Sequence, residues 1–113
     1  MLSEGCIVSG KSIYRAVVGI RSKIGEGTVI ENSVIMGADY YEKEAPPAGT
    51  PPIGIGRDCL IRNAIIDKNA RIGDGVHITP DGKQNHTSTP LYAVHDGVIV
   101  IPKNATIPAG TKL

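Results

Sequence analysis

Four cations stand within 15 residues in the middle of this chain: Arg57, Arg62, Lys68 and Arg71, with Asp58 and Asp67 among them. Gathered on one face they would hold a phosphate or a carboxylate, arginine through paired donors and lysine as a point charge. From charge alone, a solvated surface carrying ion pairs such as Asp67 to Arg71 is the simpler account, because exposed pairs are common and individually weak. The histidines offer a second chemistry. His77, His86 and His95 follow one another at intervals of nine residues, and histidine binds zinc or serves as a general base. No cysteine or carboxylate joins them at metal-ligand spacing, so they are expected at surfaces or corners and no metal or catalytic residue is assigned. Gly37-Ala38-Asp39 and Tyr40-Tyr41 are a further candidate, since paired tyrosines combine apolar area with polar tips. They either form a binding surface or pack their loop back onto the body.

The elements that must position these residues follow from a period of six. Ile24, Ile30 and Met36 open the frames IGEGTV, IENSVI and MGADYY, and Val18 opens VGIRSK before them. Small or β-branched residues recur four places on, at Ser22, Thr28 and Val34. The pattern returns at Ile55 and Ile61, at Ile66, Ile72 and Ile78, and at Ile101, Ile107 and Leu113. Six fits neither an amphipathic helix nor a two-faced strand. It fits the hexapeptide repeat of a parallel β-helix, an all-β fold in which three short strands close each coil. Inward Ile and Val would then stack on their counterparts one coil away, at the strand spacing of about 4.8 Å. Gly25, Gly27, Gly73, Gly75, Gly110, Asn32, Asn69 and Asn104 would supply tight or left-handed corners.

Composition agrees. The 113 residues hold no Phe or Trp and four Tyr, whereas Ile and Val together supply 25. A narrow prism filled with branched aliphatics accepts that mixture; a globular sandwich wants aromatic bulk. Net charge is +1, with 12 basic against 11 acidic residues, so no global field draws the chain to nucleic acid or membrane. No apolar run approaches the roughly 20 residues of a membrane span. The opening MLSEGCIVSGK lacks the basic start and apolar core of a signal peptide. Cys6 and Cys59 both lie in repeat segments and are expected as buried reduced thiols, which points to a reducing compartment.

A single β-helix domain is expected over 1–113, with repeat blocks 2–36, 53–78 and 95–113 and loops 37–52 and 79–94. The frame slips near Ile13 to Val18 and again, by one place, between Ile61 and Ile66. About four to five coils result, above the minimum of roughly three repeats for a stable stack. Both loops are rich in Pro, Gly and polar residues, and loops of about 15 residues are often functional.

The first loop and its flanks carry more than a repeat. The strings VIMGADYYE, PIGIG and AIIDKNARIG, continued by VIVIPKNATIPAGTKL at the chain end, resemble the glucose-1-phosphate adenylyltransferase (ADP-glucose pyrophosphorylase) family. The likeness is to its carboxy-terminal left-handed β-helix domain, above all in the plant and cyanobacterial branch, and it covers nearly the whole chain.

That resemblance implies a parent enzyme that joins ATP and glucose 1-phosphate into ADP-glucose and pyrophosphate for glycogen or starch synthesis. The chemistry, with its Mg2+, would belong to an amino-terminal nucleotidyltransferase domain absent from this sequence. The chain alone is expected to be non-catalytic, with no cofactor of its own, and to serve regulation and oligomerisation. Lys68 in IIDKNARIG matches a lysine that binds an anionic activator such as 3-phosphoglycerate, with Arg57, Arg62 and Arg71 as neighbours that would share the phosphorylated glycolytic effector. A second activator lysine of the plant branch, just before PIGIG, is replaced here by Ala48 or Gly49, and Lys43 lies too early to stand in. Fructose 1,6-bisphosphate is then an alternative effector. Expected partners are a second copy of the chain and the parent's nucleotidyltransferase domain, in the cytoplasm or, for a plant, the plastid stroma. Two rivals remain: a free-standing hexapeptide acyltransferase and a purely structural β-helix.

Overall fold

A computed structural model describes residues 7–8, 12–19, 21–39, 50–80 and 87–113. Every element in them is a strand. The first coil holds β1 (Ile7–Val8), β2 (Ser12–Tyr14) and β3 (Val17–Val18), and the second β4 (Lys23–Ile24), β5 (Val29–Glu31) and β6 (Val34–Ile35). The third holds β7 (Gly54–Ile55), β8 (Leu60–Arg62) and β9 (Ala64–Ile66). Next come β10 (Arg71–Ile72), β11 (His77–Ile78), a hairpin of β12 (Thr87–Ser88) and β13 (Ala93–His95), then β14 (Val98–Ile101) and β15 (Thr106–Ile107). The strands sort into three walls, of order β1-β4-β7-β10-β15, β11-β8-β5-β2 and β12-β13-β14-β9-β6-β3. This is a parallel β-helix of four coils and the start of a fifth.

Register explains the composition. Ile24, Ile55, Ile72 and Ile107 stack in the first wall, Ile13, Ile30, Ile61 and Ile78 in the second, and Val18, Ile35, Ile66 and Ile101 in the third. Apart from the half-buried Ile13, all are buried. Three columns meeting on one axis leave no room for a ring, and each buried Ile or Val contributes about 1.5–3 kcal/mol.

The period of six is broken at one corner, and this corrects part of the frame. Between the second and third walls the inward residues are five places apart: Ile13 to Val18, Ile30 to Ile35, Ile61 to Ile66. Ile35 therefore enters the core, while Met36 and Val34, which the hexad count assigns inward, are 39% and 38% exposed. Ser33 takes the buried small-residue place instead. Its Oγ donates to Glu31 O at 2.7 Å and accepts from Ala64 N at 3.1 Å. The shortened corner turns on one left-handed residue, Arg15, Asn32 or Asn63, with φ of 52°, 49° and 49°.

The stretch 79–94, expected to be a loop, contains β12 and most of β13. β12 runs antiparallel to β13, and β13 antiparallel to β14; β13 is joined to β14 by Asp96 and Gly97, both at positive φ (50° and 77°) as a two-residue hairpin turn requires. Val94, 1% exposed, packs over Ile99, so the hairpin covers the third wall where the parallel coils end. Leu2, Cys6, Lys43, Ala48, Gly49, Tyr40, Tyr41 and His86 lie outside the described residues.

At the first–second corners Thr28 and Cys59 are buried in adjacent coils. Thr28 Oγ1 donates to Gly56 O at 2.7 Å and accepts from Cys59 N at 3.1 Å, so its hydroxyl is satisfied. Cys59 is a free, buried cysteine, and burial pushes its thiol pKa up against opposing hydrogen bonds from Val76 and Thr28. At the same edge a Cβ on Gly25 would lie 2.5 Å from the carbonyl carbon and oxygen of Gly56, both backbone. Gly25→Ala is expected to force two coils apart and to cost about 1–3 kcal/mol, read as a fall in the urea unfolding midpoint.

Candidate functional site

The corner between the third and first walls gathers charge from successive coils. Ile66 pairs with Ile101, so Lys68 and Lys103, each two places further on, occupy equivalent positions one coil apart. Asn69 and Asn104 follow them in left-handed conformation, φ 61° and 63°, where Asn is tolerated better than most residues. Asn104 N donates to Lys68 O at 3.0 Å and Asn69 N to Gly37 O at 3.0 Å. The corner is thus a ladder of backbone bonds from which lysines project.

Asp39 reaches this ladder from the coil below. Its Oδ1 lies 3.2 Å from Lys68 Nζ and its Oδ2 3.5 Å from Lys103 Nζ. Asn69, buried at 6% exposure, fixes the carboxylate: its Nδ2 donates to Asp39 Oδ2 at 3.2 Å and its Oδ1 accepts from Asp39 N at 2.9 Å. Arg21 Nε donates to Ala38 O at 3.0 Å, anchoring the preceding residue. The Lys68 hydrogen bond, then that of Asn69, hold the Asp39 carboxyl below its usual pKa, helped by the charges of Lys68 and Lys103.

The other expected effector residues are spread over the coil. Arg57 is an exposed corner residue whose backbone N donates to Asp74 Oδ1 at 2.8 Å. Arg62 faces out from the second wall, 3.4 Å from Glu31. Arg71 begins the first-wall strand after Lys68 and donates from Nη1 to Pro51 O at 3.0 Å, at the returning end of the first loop. Of the four, only Lys68 and Arg71 flank one corner. Asp67 bonds Lys68 N at 2.6 Å. An open hollow of about 370 Å³ lies on the first wall between Lys23, Glu26, Pro52, Arg57 and Asp74, with charges of both signs and away from the lysine pair.

Lys103 and Asp39 are site residues that the charge count overlooked. Lys103 was legible, because KNA recurs as Lys68-Asn69-Ala70 and Lys103-Asn104-Ala105 at matching corners. Asp39 lies in the Gly37-Ala38-Asp39 segment expected as a possible binding surface, but nothing in that segment named its lysine partners. The two histidines among the described residues do not converge: His77 is in β11 on the second wall, and His95 ends β13 beside Asp96, 3.3 Å away. Among the described residues no group of three or more His, Cys, Asp or Glu could hold a metal ion.

The pH dependence has a definite sign. A carboxyl with a depressed folded pKa adds stability that is full above the unfolded value, here 3.8, and is lost as pH falls through the lower folded value. The difference in urea midpoint between the native chain and Asp39→Asn is expected to be constant at neutral pH and to close only below about pH 4.

Comparison with known proteins gives the chain its family. The model of the GLGC left-handed parallel beta-helix domain matches residues 1–112, which supplies the left-handed sense of the coil. The chain is 45% identical over 119 residues to the glucose-1-phosphate adenylyltransferase small subunit of Zea mays, a match covering 98% of this chain and 95% of that one. It is 43% identical over 118 residues to the chloroplastic/amyloplastic small subunit of that enzyme from Triticum aestivum, where 98% of this chain spans 25% of the relative's length. The chain belongs to the GLGC left-handed parallel β-helix domain family, among relatives that are glucose-1-phosphate adenylyltransferase small subunits.

Proposed function

We propose that the chain is the carboxy-terminal regulatory and assembly module of a glucose-1-phosphate adenylyltransferase subunit. The parent would condense ATP and glucose 1-phosphate, its Mg2+ and catalytic groups residing in a nucleotidyltransferase domain beyond this sequence. The wheat relative's name supports a plastid setting. Among the described residues no helix is long and apolar enough to cross a membrane.

The observation that carries the regulatory reading is the pair of ammonium groups, Lys68 and Lys103, aimed at one carboxylate from adjacent coils. Two lysines sharing an anion give the phosphate or carboxylate of a glycolytic effector a place to bind, Arg71 adding positive charge at the same corner. Arg57 and Arg62, on other walls, belong to the effector surface only through contributions to the field. Calorimetric titration with 3-phosphoglycerate and fructose 1,6-bisphosphate tests this. Lys68→Ala is expected to weaken binding at least tenfold while leaving the unfolding midpoint nearly unchanged. Absence of heat with either ligand would favour the purely structural reading.

Self-association has a surface available. On the outside of the third wall Val17, Val34, Ile65, Val100 and Ala93 form one row in register. Val17 is 46% exposed. Arg15 and Asp96, both exposed, stand at opposite ends of the same edge. A second copy turned end for end would bring Val34 against Val100, Ile65 against Ile65 and Arg15 against Asp96, a complementary pairing of size and charge. Sedimentation of the full chain over a concentration series is expected to show a dimer that Val34→Asp dissociates; a monomer at all concentrations would overturn this part.

A further inference from the structure

We propose that the space between Lys68 and Lys103 is a compact-anion site already occupied by the chain's own Asp39, and that a phosphate or carboxylate ligand binds there by displacing it. The proposal rests on the effector reading above and adds the identity of the internal competitor.

Three donors converge on the Asp39 carboxylate: Lys68 Nζ at 3.2 Å on Oδ1, and Lys103 Nζ at 3.5 Å and Asn69 Nδ2 at 3.2 Å on Oδ2. Two ammonium groups and one amide suit a small planar or tetrahedral anion better than a long ligand bridging distant cations. Phosphate brings more oxygens and more charge than a carboxylate, so it makes stronger charge-assisted bonds to the same donors. The backbone that carries Lys68, Asn69 and Asn104 does not depend on the Asp39 side chain for its position: it is held by bonds to the neighbouring coils, and Asn69 is buried. The side chains of Asp39 and Lys68 are each 41% exposed and that of Lys103 53%. The corner backbone and Asn69 are the fixed part, and the carboxylate between the lysines is open to exchange.

Exposed ion pairs of this kind add little to stability, so vacating the site costs the fold little. The tether nevertheless keeps Asp39 at high local concentration. Apparent affinity for an external anion is then lowered in proportion to the fraction of molecules in which Asp39 has left. Asp39 accordingly sets the threshold concentration at which the corner responds.

Titration of inorganic phosphate and 3-phosphoglycerate into the full chain, followed by calorimetry, tests this with two isosteric variants. Asp39→Asn keeps side-chain size and removes the competing charge from between the lysines. Asp67→Asn removes the same charge from the corner without emptying the cradle. The expected result is that Asp39→Asn tightens binding of both anions by about tenfold, that Asp67→Asn changes it by less than about threefold, and that Lys68→Ala added to Asp39→Asn abolishes the gain. Equal tightening by the two variants would reduce the effect to net charge and overturn the proposal. Unchanged or weaker binding by Asp39→Asn would overturn it also, leaving the effector reading intact. Failure of either anion to bind the native chain or Asp39→Asn would instead remove the effector reading, and this inference with it. Unfolding curves for each variant confirm that the coil is retained.

Discussion

The backbone of each coil is bonded to the coils above and below, and that constraint governs everything else in the molecule. A wall residue such as Ile61 must lie over Ile30 and under Ile78, so every corner has to turn at the same place in successive coils. Positive-φ residues therefore recur in columns: Gly27, Asp58, Gly75 and Gly110 at one corner, Asn69 and Asn104 at another. Close stacking also excludes side chains where backbone meets backbone, as at Gly25. The interior that remains is a three-sided channel for Ile and Val, which explains a core built without Phe or Trp.

Insertions are displaced to the corners for the same reason. Wall positions are committed either to the core or to the outer rows, and a wall cannot lengthen without losing register. Corners can grow. The first insertion leaves at the third–first corner and delivers Asp39 to the lysine ladder; the second leaves between the second and third walls and returns as the hairpin that covers the last coil. One insertion supplies the lysine pair with a carboxylate from the chain itself, and the other pairs the outer edge of β14 with β13 and leaves the short β12 as the edge of that wall.

Much of this was legible in the sequence, and the remainder was hidden for identifiable reasons. The Ile and Val period gave the coil, its approximate count and the interruptions. It could not by itself distinguish Ile35 from Met36, because both are apolar and adjacent; only the recurrence of the same five-place step at Ile13 and Ile61 fixes the phase. Asp96-Gly97 between alternating apolar residues was a hairpin signal, obscured by reading the stretch as one more coil. Arg57 and Arg62 looked like neighbours of Lys68 because they are close in sequence, but a coil sends consecutive segments to different walls. Lys103 is far in sequence and adjacent in space. Asp39 stands in a segment that reads as a possible binding surface, but its partners Lys68 and Lys103 are reached only by folding.

The five-place corner has a consequence for how such a chain lengthens. Duplicating or deleting one hexad would move a full wall of side chains into the wrong column, because the remaining corners no longer fall in line. A whole coil, with its short corner included, is the smallest piece that can be added without rephasing its neighbours. Lys68 and Lys103, with the Asn and Ala that follow each, are the same corner written twice, 35 places apart in the chain and close enough in space to share one charge.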